Sequence, residues 1–204
     1  KGYKFLNISI PHYRKNLDLL VDAYYSAFTW DDDVCLVIKS KVAKPKYYFE
    51  CNILEQLAPI QKKYAGKQLP QVEIVQERYE SIVPLMNTCD CLVSASSSEG
   101  FGLPLLEGLA AGMIVVAPNC SGQLDFLSHK NSLLVDVKEI DADRKHQYWT
   151  DSPGSKTWLP IKDSLSDQML NAYNNRSISF KENIDLTLKE FTWENAAKKI
   201  LEIK

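Results

Sequence analysis

The order of apolar segments predicts an α/β chain, a doubly wound parallel sheet of about six strands followed by C-terminal helices. Three observations carry this expectation. Strand-like runs and helical patterns alternate along most of the chain. Several runs are near-continuously apolar, as parallel strands covered on both faces require. The stretch 94–127 reads as strand, glycine turn, helix and strand in close succession.

The strands are expected at 5–10, 34–38, 72–75, 91–94, 113–117 and 132–135. Between the first two, Leu17, Leu20, Val21, Tyr24 and Phe28 share one helical face. Asn16 is placed to cap that helix, with Asp18 in its first turn. Further helices are expected at 49–65, 81–88, 104–111 and 122–128. The rhythm breaks at 138–160, an irregular insertion with Tyr148, Trp149, Pro153, Gly154 and Trp158. A self-packed lobe is preferred there over a lid, an acceptor contact or an oligomer contact, because aromatic residues most often pack. Helical patterns resume at 162–176, 179–190 and 192–203, and there is no internal repeat.

A chain of 204 residues fits one domain, 1–204, with ample length for a core. Its net charge of −2 shows no basic excess, so no nucleic-acid partner is expected. No apolar run reaches the roughly 20 residues that span a bilayer. The N-terminus lacks the pattern of a signal peptide and runs almost directly into a strand without an initiating methionine, so a fragment of a longer protein is expected. The 5 cysteines are odd in number and scattered, and Cys89-x-Cys91 has no neighbouring histidine. They read as reduced thiols rather than a zinc site, which suits a cytoplasmic protein. Peripheral membrane attachment through another domain stays open.

The richest chemistry lies in SASSSEGFGLPLLEGLAAG, where Glu99 and Glu107 stand 8 positions apart around a glycine turn. Pro104 marks the start of a helix. Backbone N–H groups of Gly100, Phe101, Gly102 and Leu103, with the positive end of the helix dipole, suit phosphate. Ionised carboxylates accept hydrogen bonds only, so they repel phosphate and suit hydroxyls. The combination predicts a site for a phosphorylated sugar. The bland alternatives are a tight turn without ligand and, for Glu107, a surface glutamate near a helix start. The turn is not the dinucleotide fingerprint, since Leu105 stands where its third glycine belongs. Gly108 and Gly112 read as helix-on-sheet packing and a C-cap.

Lys15 lies after the first strand, at the carboxyl edge where open α/β sheets bind ligands; its alternative is a solvated lysine. Lys39 either faces the same cleft or caps its strand. Tyr79 follows the third strand and either stacks on a ligand or packs as an N-terminal staple. No metal site is expected: Asp31-Asp32-Asp33 reads as a solvated turn, and His12, His129 and His146 are isolated. No G-x-S-x-G elbow supports a serine hydrolase.

The stretch resembles the donor-binding half of the retaining glycosyltransferases of glycosyltransferase group 1, which have the two-domain GT-B fold. That family's signature of Glu, seven residues, Glu is Glu99-GFGLPLL-Glu107, with Ser96 to Ser98 before it and Gly108 to Gly112 after it. The resemblance extends more weakly to the FTWENAAKKI that ends at Ile200. It implies a Rossmann-like domain, one half of a GT-B fold. It also implies that Glu107 accepts from the ribose hydroxyls, Glu99 contacts the transferred sugar and Lys15, before Asn16, meets the diphosphate. Tyr79 would lie near the base, and Asp125 stands where the family often has glutamate. The family's arginine five or six residues before this lysine is missing, with Ser9 and Ile10 in its place, which leaves His12 and Arg14 as candidates for a second donor.

The expected activity is therefore metal-independent transfer of a hexosyl group from a UDP- or GDP-linked donor to an acceptor hydroxyl, without a cofactor. A carbohydrate, lipid or protein acceptor would be held by an N-terminal domain that has no counterpart in this chain, so the chain alone would transfer poorly. The alternatives are a non-catalytic nucleotide or protein interaction module, or an epimerase or phosphorylase of the same fold.

Overall fold

Side chains on the first strand alternate between two apolar layers, and the same alternation runs through its neighbours. In the computed structural model, which describes residues 2–41, 52–142, 154–176 and 180–202, the elements follow in order. They are β1 (Tyr3–Ile8), α1 (Leu17–Ala27), β2 (Val34–Lys39), α2 (Ile53–Lys63), β3 (Gln71–Val75), α3 (Val83–Met86), β4 (Cys91–Val93), α4 (Leu103–Ala110) and β5 (Ile114–Pro118). Then come β6 (Leu133–Val135), β7 (Val137–Asp141), β8 (Lys156–Pro160), α5 (Lys162–Asn174), α6 (Lys181–Glu190) and α7 (Trp193–Glu202).

Six strands form a parallel sheet in the order β3-β2-β1-β4-β5-β6. Tyr3, Phe5, Leu36, Ile38 and Val116 face one layer, with Leu20 and Tyr24 of α1, Leu57 of α2 and Leu165 of α5. Leu6, Val37, Leu92, Val115 and Ala117 face the other, with Met86 of α3 and Leu105 and Leu109 of α4. Both faces are covered, so every second residue is apolar on each side and the strands read as continuous apolar runs. The Rossmann-like doubly wound sheet expected from the sequence is present.

Local details differ from the expectation in instructive ways. Asn16 stands at the N-cap of α1, but its side chain does not cap the helix. It sits in a left-handed conformation and donates to Ala95 O and Ser97 Oγ, each at 2.8 Å. Long-range bonding has taken the amide away from its local use. The helix expected at 81–88 is a single turn, α3, with Pro84 near its start. That expected at 122–128 is a short 3-10 helix, Gly122–Asp125. The helix expected at 49–65 is α2, with 49–51 outside the described residues. Of the insertion expected at 138–160, the two ends pair antiparallel as β7 and β8, while Tyr148, Trp149 and Pro153 lie outside the described residues.

Two glycine readings hold in detail. A Cβ on Gly108 would meet the Leu92 side chain at 2.6 Å, so α4 lies directly on β4 there. Gly112, at φ 75°, ends α4: its N–H bonds Leu109 O and the next N–H, of Met113, bonds Gly108 O, both at 3.0 Å. This is a Schellman closure. At the other end of the chain, α7 buries none of its described residues, and Trp193 and Leu201 are each 83% exposed. Among the described residues no helix is long and apolar enough to cross a membrane.

Candidate functional site

The chain leaves β1 toward β2 on one side and leaves β4 toward β5 on the other. The loops after β1 and β4 therefore diverge and leave a crevice between them, the usual ligand position in such sheets. Buried Asn7 ties the floor together by donating to Val93 O at 2.8 Å. Lys15 arrives on the first loop, in a short 3-10 helix Tyr13–Lys15, and Glu99 on the second.

The Lys15 ammonium donates to Glu99 Oε1. Arg14 Nη1 lies 3.4 Å from Glu99 Oε2, donates to Ser96 Oγ at 3.2 Å and also bonds Ser98 O. Burial would raise the Glu99 pKa, but the charge and hydrogen bond of Lys15, then Arg14, outweigh it and hold the carboxyl below its ordinary value. Lys15 moves against the pairing: burial lowers its pKa, and repulsion by Arg14 adds to that, so Glu99 restores it only in part. Among the described residues, the Glu99 carboxylate stands between two cations, Lys15 and Arg14. That asymmetry favours an added anion beside Lys15.

The glycine turn follows directly. Gly102, at φ 88°, opens α4. Among the described residues, the N–H groups of Gly100, Phe101, Gly102 and Leu103 have no hydrogen-bond acceptor. The turn is seated on Gly122, whose N–H bonds Glu99 O at 3.1 Å and where a Cβ would fall 2.0 Å from Gly100 O. Glu99 N in turn donates to Ser121 Oγ at 3.0 Å. The space left around Asn7, Lys15, Glu99 and Gly102 is about 30 Å³. Small-molecule pockets run to roughly 300–1,000 Å³, so this space is the floor of a crevice rather than the whole of a binding site.

The family described as glycosyl transferases group 1 matches residues 3–147. The chain belongs to this family. It is 30% identical over 125 residues to a D-inositol 3-phosphate glycosyltransferase of Corynebacterium urealyticum, a match covering 61% of this chain and 25% of that one. Its fold is similar to that of HepE from Anabaena, crystallised with UDP-glucose, with TM-score 0.70, 16% identity, and 99% of this chain and 48% of that one covered. It is also similar to the C-terminal domain of a glycosyl transferase group 1 family protein from Francisella tularensis, with TM-score 0.67, 19% identity, and 94% and 87% covered. The chain thus spans a quarter of the relative it matches by sequence and about half of HepE.

Of the residues expected at a group 1 site, the structure brings Lys15, Glu99, Gly100, Phe101, Gly102 and Leu103 to one edge of the sheet. Phe101 packs inward against Phe126 and Phe191, so only its backbone is offered to the crevice. Glu107 is exposed on α4 and borders a second, apolar groove of about 620 Å³ with Phe191, Trp193 and Ala196. Among the described residues, the Glu99 ion pairs are with Lys15 and Arg14 and do not involve Glu107. Tyr79 is 42% exposed, with the Lys39 ammonium 5.3 Å from its ring centroid. Lys39 itself caps its strand edge, donating to Ser40 O at 3.0 Å and Glu77 O at 2.7 Å. His12 is buried, and its Nδ1 accepts from Arg14 N at 3.0 Å. Asp125 is exposed on the short helix after β5. Among the described residues no His, Cys, Asp and Glu are grouped to hold a metal.

Sequence reasoning put Ser96, Asn16 and Ser121 near the ligand edge but gave their side chains no part in holding Arg14, the serine loop and Glu99. The Ser-rich approach to Glu99 was the available signal for Ser96. Nothing local announced that Asn16 would leave its helix or that Ser121 would meet Glu99.

Proposed function

We propose that this chain is the nucleotide-sugar-binding domain of a retaining, metal-independent glycosyltransferase that takes a hexosyl group from a UDP- or GDP-linked donor. The supporting observation is the Lys15–Glu99 pair at the crevice, next to the N–H groups of the glycine turn, which have no acceptor among the described residues. Lys15 and those N–H groups receive the diphosphate, and the Glu99 carboxylate accepts from the sugar hydroxyls. Glu107, one turn along α4, accepts from the ribose, and Tyr79 lies toward the base. As the glycosidic bond breaks, negative charge gathers on the departing diphosphate, where a fixed cation and aligned N–H groups lower the barrier. HepE was crystallised with UDP-glucose, which favours uracil as the base. The acceptor sits on a domain outside this chain, so the chain alone binds donor and transfers sugar poorly.

Calorimetric titration with UDP and with GDP in EDTA tests this reading, with Glu107→Ala alongside. Saturable binding of one nucleotide, weakened at least several-fold by the substitution, is expected. Binding of neither removes the donor-site reading, and binding untouched by Glu107→Ala removes this residue from the ribose. Transfer to an acceptor by this chain, well above hydrolysis, overturns the need for a second domain.

A further inference from the structure

Lys15 has two anions to serve. In the proposed reaction it meets a diphosphate, yet here its ammonium already holds Glu99, a carboxylate whose side chain is only 14% exposed. When Lys15 turns to a phosphate, Glu99 Oε1 loses its partner, and burial then drives a lone carboxylate toward its protonated form. A protonated Glu99 would present an O–H where the sugar hydroxyls need an acceptor.

The second cation within ion-pair reach of Glu99 is Arg14, and it is anchored where Lys15 is not. Its guanidinium bonds Ser96 Oγ and Ser98 O. Its own N–H donates to His12 Nδ1 at 3.0 Å, and its carbonyl accepts from Ser97 N at 2.7 Å. Lys15 has a four-carbon stem and a point charge that can follow a ligand, whereas a guanidinium held in a fork keeps its place and its charge.

We propose that Arg14 is a positioning residue that keeps Glu99 ionised and aimed when Lys15 leaves it for the donor's diphosphate. This rests on the reading that Lys15 meets the diphosphate. Arg14 thereby differs from the arginine missing upstream: it acts through Glu99 and does not touch phosphate. Among the described residues, the other groups facing Glu99 are hydroxyls and a thiol: Ser96, Ser121 on its N–H, and Cys120. Burial pushes the Cys120 thiol up, so it stays neutral. Among the described residues, Arg14 is therefore the charge beside Glu99 that remains once Lys15 moves.

The test mimics the departure of Lys15 by mutation and so needs no ligand. The Glu99 carboxyl is followed by ¹³C NMR through a pH titration, assigned by its loss in Glu99→Gln. In Lys15→Met it should still titrate at or below the ordinary glutamate value of about 4.3. In Lys15→Met/Arg14→Met it should titrate at least about one unit higher. Lys15→Met/Arg14→Gln, which retains donors for Ser96 and Ser98 without the charge, should behave as the double Met variant does, and guards against a folding defect. Equal titration with and without Arg14 overturns the proposal. In a second arm, UDP binding is measured in two buffers of different ionisation enthalpy. Arg14→Gln should take up a proton on binding, and the unsubstituted chain should not. The expected NMR shifts without any UDP binding would leave the hold of Arg14 on Glu99 standing and overturn the diphosphate role of Lys15.

Discussion

Glu99 donates its backbone N–H to the hydroxyl of Ser121 at 3.0 Å, and Ser121 receives it from a backbone at φ 59° and ψ −165°. That region belongs essentially to glycine, and a side chain there costs of order 1–3 kcal/mol. The strain and the bond oppose each other, which separates two substitutions. Ser121→Ala keeps the strain and loses the bond, so it should destabilise by about 0.5–1.5 kcal/mol. Ser121→Gly loses the bond and relieves the strain, so it should be the more stable of the two by about 1 kcal/mol. Urea unfolding of both variants checks the order; Ser121→Ala at or above Ser121→Gly would refute it.

Two closely packed glycines, Gly122 and Gly108, predict different costs from one added methyl. At Gly122 the methyl would fall 2.0 Å from Gly100 O, a backbone atom, so Gly122→Ala must displace the turn that carries Glu99. At Gly108 it would meet the far end of the Leu92 side chain at 2.6 Å, which can turn aside, although Leu92 Cβ at 3.2 Å limits this. Ala also favours a helix by roughly 1 kcal/mol over Gly, offsetting overpacking of about 1–3 kcal/mol. Gly108→Ala should therefore change unfolding free energy by less than about 2 kcal/mol. Gly122→Ala should exceed that and also weaken nucleotide binding. Thermal unfolding and calorimetry on the same two proteins decide it.

The acid limb of stability carries the signature of Glu99. Burial raises its pKa, but Lys15 and Arg14 together bring it below its ordinary value. As pH falls, the unfolded chain therefore takes up this proton before the folded one does. The contribution is complete above the ordinary carboxylate range and is lost as pH falls through the lower, folded pKa. Glu99→Gln should flatten the stability profile between about pH 5 and the acid limit. Denaturant unfolding at several pH values measures this, and parallel profiles for the two proteins would contradict it.

Lys15→Ala should weaken UDP binding by about tenfold to a hundredfold, the scale of a lost charged hydrogen bond. The affinity for uridine, which carries no phosphate, should change little. If both ligands weaken alike, Lys15 supports the site without meeting the diphosphate.

Much of the fold was legible because its cause is local. Tyr3 and Phe5 fall on one face of β1 and Leu6 on the other, since strand side chains alternate. Leu17, Leu20, Val21 and Tyr24 line the buried face of α1, since helical neighbours recur at three and four residues. The stop at Gly112 needs only a left-handed position. The failures are also physical. Asn16 looked like a cap because amides cap helices locally, but bonds to Ala95 and Ser97 from the neighbouring loop replaced that use.

By itself, then, the sequence determined the order of strands and helices, which faces are apolar, and the pair of glutamates around a glycine turn that marks a group 1 chain. These follow from the periodicity of neighbours and from the conformations that glycine and proline allow. Only the tertiary structure decided which charges meet. The Lys15–Glu99 pair spans 84 residues and exists because β1 lies beside β4 in the sheet. No local pattern distinguishes Lys15, whose charge is free to follow a ligand, from Arg14, whose guanidinium is tied to the serine loop. That difference is set by what the crossing of the sheet places opposite each side chain.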